Sequence, residues 1–283
     1  VAKPDQLIKR RGKAGLIKVN CDFEEARAWV NERMQKEATV SGVEGVLTHF
    51  LIEPFLPHAA ENEHYLCIQS HRYHDEIYFH HEGGVDVGDV DAKAVRLQVP
   101  TGAFPTDAQL LELLGASPGG TRRELAKYVQ ALYRLYQELH YSYMEINPLV
   151  VIDKVGDGIL GSGHTVTIVP LDLAAKIDET AGFLVEKRWG AVDFPVAFGR
   201  NEHEEERFIQ DLDAKTGASL KLTVLNPKGR VWTMVAGGGA SVVYADTVVD
   251  YGFGAELGNY GEYSGAPSEE DTYLYARTLL GLM

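Results

Sequence analysis

The chain is poor in cysteine, with only Cys21 and Cys67 in 283 residues. Neither stands in a C-x-x-C spacing, so no disulfide framework or thiolate metal knuckle is implied. A reducing, cytoplasmic setting is the simple expectation. There is no apolar run of about 18 residues, so no transmembrane helix is expected, and no secretory signal is visible. Positive charge is short: 27 Lys and Arg against 41 Asp and Glu leave a net charge of −14. That deficit argues against a nucleic-acid partner, whose phosphates demand Lys and Arg. An anionic ligand would have to be met by cations gathered locally. The spacing G-x-x-x-x-G-K-[ST] is absent, which excludes a P-loop. A starting Met is missing too. The sequence opens at Val1 and stops at Met283 at the end of an apparent helix, and both ends read as cuts through a longer chain.

What is present suits a packed α/β protein. Hydrophobic residues make up 45%, enough for a core, and the length fits one large or two ordinary domains. Residues 14–20 read as a strand, and Asp22 to Lys36 as a helix N-capped by Asp22, with Phe23, Ala26, Val30 and Met34 as its apolar stripe. Runs 46–53, 64–70 and 76–81 read as strands, followed by a Gly- and Asp-rich loop from Glu82 to Asp91. Residues 107–114 suggest a short helix. Pro118-Gly119-Gly120 reads as a breaker, with a capping box at Thr121 opening a helix through Leu125, Val129, Leu132, Tyr136 and Leu139. Strands are expected at 142–152 and 164–173, joined by a turn at Gly156-Asp157-Gly158. Residues 190–217 read as a connector, 219–225 and 230–236 as strands, and 266–283 as a helix opened by Pro267 and Ser268. The expected organisation is a first domain over 1–192, a connector over 193–218, and the start of an α/β domain over 219–283.

Three stations carry oxygen or charge in patterns that suit a nucleotide. The turn Lys9-Arg10-Arg11-Gly12-Lys13-Ala14-Gly15, with Lys3 upstream, offers cations and glycines to phosphates. Glu53-Pro54-Phe55-Leu56-Pro57 is a rigid extended connector whose backbone groups suit an adenine edge, and Glu63 can accept from ribose hydroxyls. The strand Glu145-Ile146-Asn147-Pro148 presents Glu145 and Asn147 on one face. With Asp172 on the next strand, Asn147 forms an oxygen pair suited to Mg²⁺, which shares its shell with waters and substrate phosphates. His80-His81-Glu82 is not expected to bind metal, because adjacent strand residues face opposite ways. Tyr133, Tyr136, Tyr141 and Tyr143 read as core or interface filler.

Taken together, these stations resemble the ATP-grasp fold of the succinyl-CoA synthetase β-subunit family: R-G-K-A-G at Arg11 to Gly15, E-I-N-P-L at Glu145 to Leu149, and L-D at Leu171-Asp172. The segments Lys3 to Lys13, Phe79 to Lys93, Thr233 to Tyr244 and Asn259 to Glu269 are more specifically similar to the ATP-citrate lyase family, across essentially the whole chain. The resemblance implies an α/β architecture: an α+β ATP-grasp module, then the start of a flavodoxin-like α/β domain. It implies an enzyme part in which Mg²⁺ and ATP phosphorylate a histidine on a companion subunit or C-terminal region. That region would also carry CoA-binding and citrate-synthase-like modules within an oligomeric assembly. The phosphohistidine would then phosphorylate citrate on the way to citryl-CoA, acetyl-CoA and oxaloacetate.

By position, the resemblance assigns nucleotide contacts to Lys3, Arg11, Gly12, Pro54, Leu56 and Glu63, and metal ligation to Asn147 and Asp172. Glu145 becomes the acid that meets the incoming histidine, and Gly238, Gly239 and Gly265 become citrate-side backbone positions. The N-terminus of the helix after Gly265 is expected to face the phosphohistidine. None of the ten histidines matches the phosphorylated one, so this stretch alone is not expected to turn over. A citryl-CoA or succinyl-CoA synthetase β-subunit, or a non-catalytic nucleotide-binding subunit, are the alternatives. Asn259 to Ser268 favours a citrate enzyme over a succinate one.

Overall fold

The computed structural model describes residues 1–8, 11–84, 90–155, 164–190, 192, 197–200 and 202–283. The chain forms two compact units, Val1–Phe198 and Gly199–Met283. In chain order the first unit contains β1 (Ala2–Pro4), α1 (Phe23–Arg33), β2 (Lys36–Val40), β3 (Val43–Leu47), β4 (Phe50–Ile52), β5 (Glu63–Ser70), β6 (His74–His80), α2 (Val90–Lys93), β7 (Val95–Pro100), α3 (Asp107–Leu113), α4 (Gly119–Glu138), β8 (Tyr141–Val155), β9 (His164–Pro170), β10 (Leu173–Ile177) and α5 (Gly182–Trp189). The second contains α6 (Glu204–Lys215), β11 (Ser219–Val224), β12 (Val235–Ala236), α7 (Gly238–Val248), β13 (Asn259–Ser264) and α8 (Glu269–Leu282).

The first unit is built on an antiparallel sheet in the order β10-β8-β5-β6-β7, with β9 also paired to β8. Side chains alternate across a strand, and that alternation divides the sheet into a core face and a site face. Leu66 and Ile68 of β5, Ile77 and Phe79 of β6, and Met144 and Ile146 of β8 are buried under α3 and α4. Leu125, Val129, Tyr133 and Tyr136 recur at helical spacing on α4 and close this core. Each such side chain contributes about 1.5–3 kcal/mol by leaving water. The intervening residues Cys67, Tyr78, Tyr143 and Glu145 therefore look the other way, where a smaller cluster of Tyr65, Cys67, Tyr78 and Val90 forms.

Several expectations need correction. Residues 14–20 form no strand; Lys18 only bridges Ala2, because the turn at 11–15 uses the preceding residues. The helix from Asp22 stops at Arg33. Lys36 instead begins a β2–β3 hairpin, turned by Ser41 and Gly42, both at positive φ. Asp22 does cap, accepting from the Glu25 N–H at 2.8 Å, and Ala26 and Val30 are buried, but Phe23 is exposed. Gly119 and Gly120 lie inside α4 rather than breaking it. Pro118 occupies the cap position, and the Thr121 hydroxyl donates back to its carbonyl, so there is no capping box at Thr121. Gly156-Asp157-Gly158 and most of the loop after Glu82 lie outside the described residues.

In the second unit a three-stranded sheet runs β11-β13-β12, with β11–β13 antiparallel and β12–β13 parallel. Ile209 of α6, Leu220 and Leu222 of β11, and Tyr275 and Leu279 of α8 form its core. The stretch read as a connector thus contains α6. Its first turn, Glu204-Glu205-Glu206, hides a short apolar stripe, and Glu206 is buried because it accepts from the N–H groups of Val224 (2.7 Å) and His203 (3.0 Å). Only Val235–Ala236 of the expected strand 230–236 joins the ladder. The buried Asn259 side chain accepts from the Thr233 N–H (2.8 Å) and donates to the Thr233 carbonyl (2.9 Å), taking the place of strand pairing there. The capping box at α8 forms between Ser268 and Asp271.

Candidate functional site

On one edge of β8 the ladder changes partner. Residues 141–146 pair with β10, and 149–155 pair with β9. Between them, Asn147-Pro148, a cis peptide, lies opposite Leu171-Asp172. The Asn147 N–H donates to the Asp172 carbonyl at 3.3 Å, and the Leu171 N–H donates to the Pro148 carbonyl at 3.1 Å. Asp172 therefore sits in a gap between two strands rather than on one, as the sequence had suggested. Its backbone is held opposite Asn147.

Two cations converge on that carboxylate. Arg11 donates to Asp172 Oδ1 at 2.5 Å and to the Pro4 carbonyl at 2.7 Å. Lys3, on β1, is 5% exposed. A buried ammonium demands partners, and its three N–H groups meet three acceptors: the Leu171 carbonyl at 2.6 Å, Glu53 at 2.9 Å and Asp172 at 3.4 Å. Gly12 sits in the turn that presents Arg11. The turn closes with the Gly15 N–H on the Gly12 carbonyl at 3.1 Å, and Gly15 lies at φ +68. Lys9 and Arg10 lie outside the described residues.

Asn147 Oδ1 accepts from the Gly84 N–H at 2.6 Å. Gly84 is at φ +92, and a side chain there would collide with the Glu63 carboxylate. Glu63 in turn meets His58, whose other ring nitrogen meets the Leu56 carbonyl. The fold thus brings Lys3, Arg11, Asn147 and Asp172 together as one group and Leu56 and Glu63 as a second, connected through Gly84. Pro54 lies in the same irregular connector as Leu56. Sequence reasoning missed Glu53, His58 and Gly84; Glu53 had been read only as part of a connector.

Glu145 shares the site face with Asn147 and accepts from the Tyr143 hydroxyl. Burial, followed by that bond, pushes the Tyr143 phenol well above its ordinary range. Tyr143 is therefore a partner of Glu145, whereas Tyr133 and Tyr136 are core. Further along the same face, Tyr78 donates to Glu76. Burial and Glu76 push Tyr78 up to about 12. Burial works against the Glu76 charge, but bonds from Tyr78 and Gln98 and the charge of Arg96 outweigh it and hold its carboxyl low. His80 and His81 have rings 4.7 Å apart, since β6 ends at His80 and strand alternation no longer separates them.

No group of three or more His, Cys, Asp or Glu able to hold a metal occurs among the described residues. An Asn amide oxygen and an Asp carboxylate are donors of the type Mg²⁺ takes, one or two from protein with water and phosphate completing its shell.

In the second unit, Gly238 and Gly239 open α7, with Gly237 at φ +103 as cap and no side-chain cap bond. The first intrahelical bond is from the Ser241 N–H to the Gly237 carbonyl, so the N–H groups of Gly238, Gly239 and Ala240 have no acceptor in the helix. Gly238 packs against the Glu262 carboxylate, while a Cβ on Gly239 would meet open space. Gly265 lies at φ +73 against Ala218 and Ser219, a turn after β13. The helix following it is α8. Ser268 and Asp271 cap it reciprocally, and its first turn is Glu269-Glu270-Asp271, a local charge that disfavours an anion. α7 carries no acidic residue in its own first turn, and the Glu262 carboxylate lies beside Gly238.

Residues 1–189 match the family model for the ATP-citrate synthase ATP-grasp domain, which places the first unit in the ATP-grasp class. Residues 200–283 match the model for the ATP citrate lyase citrate-binding region. The chain belongs to the ATP-citrate synthase (ATP citrate lyase) family and comprises its ATP-grasp and citrate-binding regions. It is 54% identical to ATP-citrate synthase of Bos taurus over 285 residues, covering all of this chain and 25% of that protein. It is 48% identical over 312 residues to the probable ATP-citrate synthase subunit 2 of Schizosaccharomyces pombe, covering 62% of that subunit. ATP citrate lyase from Methanothrix soehngenii, solved with citrate and coenzyme A, matches with TM-score 0.82 and 45% identity, covering all of this chain and 63% of that one. The chain thus spans a quarter of the length of the bovine relative and under two thirds of the other two.

Proposed function

We propose that this chain is the part of an ATP-citrate lyase that binds Mg·ATP in its first unit and citrate in its second. In this reading Mg-ATP phosphorylates a histidine carried by a companion subunit or a region outside this chain. That phosphohistidine then phosphorylates citrate on the way to citryl-CoA, acetyl-CoA and oxaloacetate. The observation that carries it is the convergence of Lys3 and Arg11 on the Asp172 carboxylate, opposite Asn147 at the break between β9 and β10.

Asn147 and Asp172 would hold Mg²⁺. When bound, the ion neutralises phosphate charge and polarises the transferred group. Phosphoryl transfer asks mainly for positioning and charge neutralisation, and Arg11 and Lys3 supply fixed positive charge beside the ligand oxygens. Leu56 offers a backbone carbonyl to the adenine, with Pro54 shaping the connector, and Glu63 accepts from the ribose. Glu145, on the same face as Asn147, receives the incoming imidazole and stabilises its cationic form; Tyr143 fixes the carboxylate that does so. In the second unit the open start of α7, at Gly238 and Gly239, meets an anionic group of citrate or the phosphohistidine, and Gly265 shapes the neighbouring turn. We place the protein in a reducing, cytoplasmic setting, since neither Cys21 nor Cys67 is in a disulfide. No described helix is long and apolar enough to cross a membrane.

The test is titration calorimetry of Mg·ADP on the full-length protein containing this chain. Asp172→Ala is expected to weaken binding by about 100-fold, the effect of losing a charged ligand and its cation partners together. An unchanged affinity would remove the metal and phosphate roles from this site.

A further inference from the structure

We infer that His58 is a positioning residue of the nucleotide site, tying the Leu56 carbonyl to the Glu63 carboxylate so that both are in place before a nucleoside arrives. The inference rests on the reading of Leu56 as the adenine contact and Glu63 as the ribose acceptor. His58 Nδ1 lies 2.7 Å from the Leu56 carbonyl oxygen, and Nε2 lies 3.0 Å from Glu63 Oε1. The His58 side chain is 13% exposed, so water does not readily substitute for it.

The connector needs such a tie. Residues 53–59 form no regular structure, and Pro54 and Pro57 have no N–H to contribute. Both partners of the ring are acceptors, so it bridges them fully only when each nitrogen carries a proton. Beyond Glu63 the contacts continue. The Gly83 N–H donates to the Glu63 carbonyl at 2.8 Å, Gly84 lies against the Glu63 carboxylate, and the Gly84 N–H donates to Asn147 Oδ1 at 2.6 Å. A chain of contacts therefore runs from the base end of the site to the metal end, with His58 as its first member. Ordering a flexible carboxylate before the ligand binds removes that entropy from the binding step.

The experiment is a thermodynamic cycle on the full-length protein containing this chain. Dissociation constants of Mg·ADP and Mg·2′,3′-dideoxy-ADP are measured for wild type, His58→Ala and His58→Gln. Wild type is expected to lose about tenfold when the hydroxyls are removed, the scale of one hydrogen bond to a charged group. His58→Ala is expected to bind Mg·ADP about tenfold more weakly, to treat the two nucleotides alike within about twofold, and to keep wild-type affinity for Mg·pyrophosphate. His58→Gln, which keeps one donor, should fall between and carries the test if the alanine variant does not fold. A variant that keeps the wild-type penalty for the missing hydroxyls overturns the inference and leaves the ribose reading standing. A folded variant that loses pyrophosphate binding in step with ADP shows a merely structural role and overturns it as well. A wild type indifferent to the hydroxyls overturns the ribose reading, and the inference with it.

Discussion

In the proposed function the two units meet anionic ligands by opposite means. The first uses side-chain charge: a buried Lys3 with three acceptors, Arg11 on Asp172, and a second carboxylate at Glu53. The second uses backbone: glycines at the start of α7, no basic residue in its first turn, and N–H groups with no acceptor in the helix. The difference follows from what each is proposed to hold. A metal-bound polyphosphate concentrates charge and needs fixed counter-charges. A carboxylate or a transferred phosphoryl group can be received by helix dipole and N–H donors alone. The contrast recurs within the second unit, where α7 has no side-chain cap while α8 carries a capping box and three acidic residues in its first turn.

The comparison breaks most readily at Lys3. Lys3→Met would leave Glu53 and Asp172 without their shared cation. Because both carboxylates are partly solvated, the cost is expected near the low end of what a broken buried pair loses, about 2–3 kcal/mol. Urea unfolding should show that loss, together with Mg·ADP binding at least tenfold weaker. Full stability in Lys3→Met would mean that the charge cluster is ornamental.

A substitution at α7 separates backbone recognition from charge recognition. Gly239 has open space where its Cβ would go and does not sit at positive φ, so Gly239→Asp should fold. Its carboxylate would occupy the open N–H groups, and citrate-dependent discharge of the phosphoenzyme should fall by about tenfold or more while Mg·ADP affinity stays put. Ser268→Ala is the control on α8. It should cost about 1 kcal/mol for the lost cap and leave discharge unaltered. Equal loss of discharge in both variants would place the starts of both helices at the citrate site.

The smallest expected effect lies in acid. Glu76 in the first unit and Asp213 in the second are both held below their ordinary values. Burial opposes each charge, but bonds outweigh it: from Tyr78 and Gln98 to Glu76, and from the Leu220 N–H and Lys221 to Asp213. The unfolded chain therefore takes up these protons first as pH falls. The stability they confer is complete above the ordinary values of 4.5 and 3.8 and disappears as pH drops through the folded ones. Urea midpoints followed from pH 6 to 3 should decline less in Glu76→Gln and Asp213→Asn than in wild type. Parallel curves would deny the carboxylates this role.

Much of the first unit was legible because its signals are local. The Asp22 cap, the α4 stripe and the alternation of Met144, Glu145, Ile146 and Asn147 all act within a turn or along one strand. The second unit was read less well. α6 starts with three glutamates and buries Glu206, so its burial contradicts its composition. β13 holds Gly261 and polar residues, and its pairing is reinforced by the Asn259 side chain, which no strand propensity records. The chemistry-bearing residue types at Lys3, Arg11, Asn147 and Asp172, and the glycines that open α7, are written in the sequence. Their assembly is not. Lys3 meets Leu171 across 168 residues of chain, and Arg11 meets Asp172 across 161, distances that no periodicity or cap spans. The antiparallel sheet closes them by interrupting the β8 ladder opposite Asp172. At that interruption the Gly84 N–H also meets Asn147 across 63 residues, whereas His58 reaches Leu56 and Glu63 locally through the irregular connector; a hydrogen bond depends on where two atoms lie and not on how far apart they are in sequence.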